Sequence, residues 1–129
     1  MSTPQGEAPA QVYRVVVADD AAGIRALLRT LLSLEPDFDV VGLACDGAEA
    51  VELVAKLEPD LVVIDVSMPV MSGLEAIKSI REISPTTRVA VLSGERRQLP
   101  DGAHTQIEKG TPNEALIEAL RKVCQTKPA

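Results

Sequence analysis

DLVVIDVSMPVMSG, residues 60–73, is the stretch on which the fold turns. Leu61, Val62, Val63 and Ile64 form an unbroken apolar run, and the two-residue period of a strand sends them alternately to both faces of a sheet. A strand that is apolar on both faces is buried on both, as in a parallel sheet covered by helices. Asp65 closes the run at its carboxyl end. From Gly73 to Ile83 the period changes: Leu74, Ile77 and Ile80 recur at helical spacing, and Pro85 follows. The local unit is therefore strand, polar turn, helix.

The same unit repeats in both directions. Upstream, Val12–Ala18 (VYRVVVA) reads as a strand, and Ala21–Leu34 as a helix with Ile24, Leu27, Leu28, Leu31 and Leu32 on one face. Phe38–Ala44 (FDVVGLA) and Gly47–Glu58 form the next pair, which Pro59 stops. Downstream come Arg88–Leu92 (RVAVL), a weak fifth strand at Thr105–Glu108, and a last helix, Pro112–Cys124, with Pro112 in its first turn. Strands and helices in alternation select an α/β, doubly wound open parallel sheet. One interval is too short for the pattern. Between Ser93 and Lys109 lie only residues 94–108. A helix of roughly 11 residues, a strand of roughly 5 and two loops of roughly 4 each need about 24. The fourth helix is thus expected to be shortened or missing. Gly94, Pro100 and Gly102 point the same way, since each disfavours a helix interior.

A chain of 129 residues suits one domain. The expected division is a flexible leader at 1–11, the domain at 12–124 and a flexible tail at 125–129. Apolar residues make up 46% and aromatic ones only 2%, so the core is aliphatic. A net charge of −6 argues against direct nucleic-acid binding, which needs clustered Lys and Arg, and against docking on an anionic membrane. No apolar run approaches the roughly 20 residues of a membrane span. The first ten residues lack the basic and apolar regions of a signal peptide, so a cytoplasmic location is expected. Cys45 and Cys124 read as small buried hydrophobes rather than a disulfide. With a single histidine, His104, they are too few for a zinc site.

Ligands of open parallel sheets bind beyond the carboxyl ends of the strands. Asp19 and Asp20 follow the first strand, Asp65 ends the third, Ser93 the fourth, and Lys109 follows the fifth. Three crowded carboxylates repel one another unless a cation joins them, and all-oxygen ligation favours Mg²⁺. Asp65 suits the role of a nucleophile that forms an acyl phosphate. Lys109 suits a phosphate oxygen, Ser93 offers a hydroxyl, and the amides near Ser67 add donors. Phosphoryl transfer needs mainly such positioning and neutralisation.

The pair Asp19-Asp20 after VVVA, the run Ile64-Asp65-Val66-Ser67-Met68-Pro69-Val70-Met71-Ser72-Gly73, the step Val91-Leu92-Ser93-Gly94 and Glu108-Lys109-Gly110 together resemble the response-regulator receiver family over about residues 12 to 124. The resemblance implies a flavodoxin-like sheet of order 2-1-3-4-5. It implies Asp65 as phosphoacceptor, with Asp20, Asp65 and the Ser67 carbonyl holding Mg²⁺ and Asp19 acting through metal-bound water. It implies Ser93 as the switch hydroxyl, Lys109 on the phosphoryl group, and a sensor histidine kinase as donor. Ser67 and Glu95, each two residues past a site residue, would tune the lifetime of the acyl phosphate.

The chain departs from the family in three places. Gly110 follows Lys109 where many relatives have a cis proline. Gln106 occupies the switch position that usually holds Tyr or Phe, with His104 nearby as a surface loop residue. The fourth helix is curtailed.

The expected function is that of a two-component receiver, phosphorylated but not a turnover enzyme. Its output would be a downstream protein, an output domain or a homodimer. The alternative is a pseudo-receiver, a protein-interaction module independent of phosphorylation. Arg96-Arg97 reads as a solvated pair, and Met68 and Met71 as packing residues. A flavin carrier would need a glycine- and hydroxyl-rich loop where Asp19-Asp20 stands. A haloacid-dehalogenase-type phosphatase would need an Asp in place of Ser67.

Overall fold

The computed structural model describes residues 11–68, 71–94 and 98–126. The expected leader at 1–11 and tail at 125–129 fall mostly outside them. The elements alternate as read: β1 (Tyr13–Ala18), α1 (Ala22–Ser33), β2 (Phe38–Ala44), α2 (Gly47–Leu57), β3 (Leu61–Asp65), α3 (Gly73–Ile83), β4 (Arg88–Ser93), β5 (Thr105–Glu108) and α4 (Asn113–Gln125). Every strand pairing is parallel, and the order is β2-β1-β3-β4-β5.

Alternation along the central strands divides the core in two. Val15, Val17, Leu61, Val63 and Leu92 face α1 and α4, where they meet Leu28, Leu32, Leu116 and Leu120. Val16, Val62, Ile64, Val89 and Val91 face α2 and α3, where they meet Val54, Ala76, Ile77 and Ile80. All five residues of β3 are buried, as the apolar run demanded. Each such aliphatic side chain contributes about 1.5–3 kcal/mol on burial. On β2, at the sheet edge, the register skips Val41: Val15 pairs with Val40 and Val16 with Gly42.

Local signals fix most helix ends. The Asp46 side chain accepts from the Glu49 amide at 2.8 Å to start α2, and Glu58, left-handed at φ 47, ends it before Pro59. Ser72 and Glu75 form a reciprocal capping box on α3. Pro112 sits at the N-cap of α4, one residue before the helix and not inside its first turn. Ala21 at the N-cap of α1 gives no side-chain bond.

Among the described residues no helix lies between β4 and β5. The connection turns through Gly102 at φ 89 and leaves an open cleft of about 810 Å³ beside Leu74, Lys78 and Leu99. No helix among the described residues is long and apolar enough to cross a membrane. Cys45 corrects its reading as a buried hydrophobe: it lies exposed just past β2, whereas Cys124 is half-buried, and both thiols are free. The period of β2 ends at Ala44, so nothing holds Cys45 to an inward face.

Candidate functional site

Four strand ends and the turns after them build one polar centre. At the end of β1 the Asp19 amide donates to the Ala44 carbonyl at 3.0 Å, extending the ladder to β2. Its side chain is fully buried, and Oδ1 accepts from the Ala21 amide at 2.9 Å. Asp65, 2% exposed at the end of β3, accepts from the Ser67 amide through Oδ1 at 3.1 Å. Ser93, 2% exposed at the end of β4, accepts the Lys109 amide at its carbonyl at 2.8 Å. That bond carries the pairing of β4 and β5 into the next turn and aims Lys109 inward. Lys109 Nζ stands 3.2 Å from Asp65 Oδ2 and 3.8 Å from Asp19 Oδ2.

Carboxylate oxygens of Asp19, Asp20 and Asp65 all lie within 4.8 Å of one another, Asp20 at the exposed rim. Asp19 Oδ2 is buried without a hydrogen bond. Burial pushes the Asp19 carboxyl above its usual range, and the charges of Asp65 and Asp20 add to this; the Ala21 amide and Lys109 oppose it. A cation among these oxygens would relieve both the crowding and the unsatisfied atom. The donor set is all oxygen, which suits Mg²⁺ better than a soft metal.

Backbone packing holds the centre tightly. A Cβ on Gly73 would lie 2.5 Å from the Asp65 carbonyl oxygen, so α3 begins directly against the β3 turn and only glycine fits there. The Lys109–Gly110 peptide is trans, and Gly110, at φ 93, adopts a backbone that L side chains avoid.

The structure thus gathers Asp19, Asp20, Asp65, Ser93 and Lys109, the residues expected from the strand ends. Ser67 is exposed in the turn after β3. Gln106 lies half-buried on β5, paired with Val91. Glu95 and Arg96-Arg97 lie outside the described residues. Met68 is buried in the α2–α3 core and Met71 packs beside it. Arg25 escaped the sequence reading, and His104, expected as a surface loop residue, is instead half-buried and bonded to β4. Arg25 on α1 donates through Nη1 to the Asp19 carbonyl at 2.6 Å. His104 accepts the Val89 amide at Nδ1 at 3.0 Å, while its own amide donates to the Val89 carbonyl at 2.8 Å. Only Arg25 had a sequence signal, its place in the first turns of α1 just after the acidic pair.

The model of the response regulator receiver domain family matches residues 15–121. The chain is 37% identical over 116 residues to chemotaxis protein CheY of Thermotoga maritima, covering 85% of this chain and 96% of that one. It is 46% identical over 133 residues to protein-glutamate methylesterase/protein-glutamine glutaminase 4 of Geobacter metallireducens, covering 90% of this chain. The chain spans only 38% of that relative, and 21% and 24% of two others of the same description, from Methanosarcina acetivorans and T. maritima. Among solved structures, the response regulator domain of T. maritima CheB superposes with a TM-score of 0.81 at 32% identity, covering 92% of this chain and all of that one (100%). The receiver domain of NarL from Mycobacterium tuberculosis does so at 0.85 and 30%, covering 91% and 99%.

Proposed function

The chain belongs to the response regulator receiver domain family of two-component signalling, and on that premise we propose that Asp65 accepts a phosphoryl group from a phosphohistidine of a sensor histidine kinase in a Mg²⁺-dependent reaction. One observation carries this reading: a buried Asp65 carboxylate has a lysine amine 3.2 Å from one oxygen and two further carboxylates beside it.

The Ser67 amide on Asp65 Oδ1 orients the carboxylate and leaves Oδ2 on the Lys109 side. As a carboxylate oxygen attacks, the new O–P bond forms and the P–N bond of the donor breaks. The imidazole nitrogen keeps the electron pair and takes up a proton. Lys109 then neutralises charge on the phosphoryl group. Asp20, Asp65 and the Ser67 carbonyl would hold Mg²⁺, with Asp19 reaching it through water. When bound, the ion supplies positive charge against the phosphoryl oxygens. These groups position and neutralise, and the chain is itself the substrate, so it is no turnover enzyme. Ser67 and Glu95 tune hydrolysis of the acyl phosphate; Glu95→Ala is expected to change its half-life.

Ser93 and Gln106 carry the conformational response from the site toward β5. The working unit is residues 12–124, in the cytoplasm, and its output is a downstream protein, an attached output domain or a homodimer. The acidic chain binds no nucleic acid and no membrane directly.

The test is incubation with acetyl phosphate, or with beryllofluoride, in the presence of Mg²⁺. The expected result is a mass gain of one phosphoryl group, or shifted NMR signals, that Asp65→Asn abolishes. The absence of a helix between β4 and β5 among the described residues favours the pseudo-receiver reading. An inert wild type would establish it.

A further inference from the structure

We infer that Arg25 is a positioning residue for the acidic pair, acting on Asp20 through the Asp19–Asp20 peptide; the inference rests on the metal-dependent reading above. The carbonyl that Arg25 holds at 2.6 Å belongs to the peptide joining the two aspartates. Asp19 is anchored at its amide by the Ala44 carbonyl and at Oδ1 by the Ala21 amide. Asp20 lies exposed at the rim. A peptide plane turns as a unit about the two soft torsions that flank it, so its tilt decides where Asp20 points. Fixing the Asp19 carbonyl fixes that tilt.

Beyond the Asp19–Ala21 bond, α1 has little else to do this. Its N-cap, Ala21, makes no side-chain bond, and its first turn holds no acidic residue, whereas α2 and α3 start on Asp46 and Ser72 caps. The guanidinium folds back from within α1 and clamps the turn from outside. A charge-assisted bond of this length is strong. It puts Arg25 on the backbone of the acidic pair rather than on its carboxylates, and such outer partners fix the orientation of the inner ones.

Two measurements on the full chain test this. In metal-free protein, ¹⁵N relaxation dispersion of Arg25→Met is expected to show new microsecond-to-millisecond exchange at the Asp20 and Ala21 amides, with Ser67 unchanged. In a titration with Mg²⁺ alone, followed by NMR shifts, Arg25→Met is expected to raise Kd about tenfold. In an Asp20→Asn background the same substitution should change Kd by about twofold at most, because its route through Asp20 is already cut. If Arg25→Met does not fold, Arg25→Gln, too short to reach the Asp19 carbonyl, takes its place. Unaltered Asp20 dynamics, or equal losses in both backgrounds, would overturn the inference. If the wild type takes up no Mg²⁺, the metal reading fails by itself, and the metal-free Asp20 signal still decides the role of Arg25.

Discussion

His104 holds the start of β5 through its ring as well as its backbone. Accepting the Val89 amide at Nδ1 requires a neutral imidazole protonated at Nε2. Burial pushes the His104 pKa below its ordinary 6.5, and the nearby charges of Arg81 and Arg88 add to this. A depressed folded pKa means that the stabilisation is fully present above 6.5 and is lost as pH falls through 6.5 toward the folded value. His104→Leu, which cannot accept, is expected to cost about 1–2 kcal/mol at pH ~8. Urea midpoints should show that gap shrinking by pH ~5, and a gap independent of pH would refute the account. Gly73 constrains the site sterically instead. A Cβ there would meet the Asp65 carbonyl oxygen at 2.5 Å and Val66 Cα at 2.6 Å, both backbone atoms. Gly73→Ala is therefore expected to destabilise by about 1–3 kcal/mol and to shift the Asp65 and Ser67 amide signals. Unchanged signals would contradict so close an approach.

Among the elements, α4 is tied to the α1–β2 connection by one side chain. Arg121 bonds Asp37 through Nε at 2.7 Å and Glu35 through Nη2 at 2.8 Å, and its guanidinium lies 5.7 Å from the centre of the Phe38 ring. Arg121→Met is expected to cost about 1–3 kcal/mol near neutral pH, read from urea unfolding. The bond from Arg121 holds the Asp37 carboxyl below its ordinary 3.8, so the stabilisation persists above that value and disappears as pH falls further. The gap between variant and wild type should close only in that acid range. For α3, Ser72→Ala removes half of the capping box and is expected to cost about 1 kcal/mol. The strands were legible because Leu61–Ile64 and Val15–Val17 advertise burial on both faces by composition alone. The candidate site was legible because Asp19, Asp65 and Ser93 each stand where an apolar run stops, with Lys109 just past the short fifth strand. Arg25 was marked only by its place after the acidic pair and His104 not at all, since a side chain that bonds a backbone group leaves no trace in hydrophobic period. Cys45 was misread because its residue type suggests burial, while its position past β2 decides exposure.

For the whole molecule, the sheet joins two cores that share every central strand. Ile64 faces α2 and α3, and Leu120 packs against the opposite face. Ile64→Ala and Leu120→Ala are each expected to cost about 2–5 kcal/mol. Because β3 belongs to both layers, each variant should lower one cooperative transition, with circular dichroism and NMR intensities coinciding. Two separate steps would show that the layers unfold independently. Among the described residues the open sheet also has two free edges, and their construction bears on how the protein behaves when concentrated. On β2 the skip at Val41 breaks the regular spacing of amides and carbonyls, and on the other side β5 is only four residues long. An incoming extended chain finds no long, flat template on either side. The same irregularities that blur the sheet's rim therefore guard it against strand-by-strand aggregation.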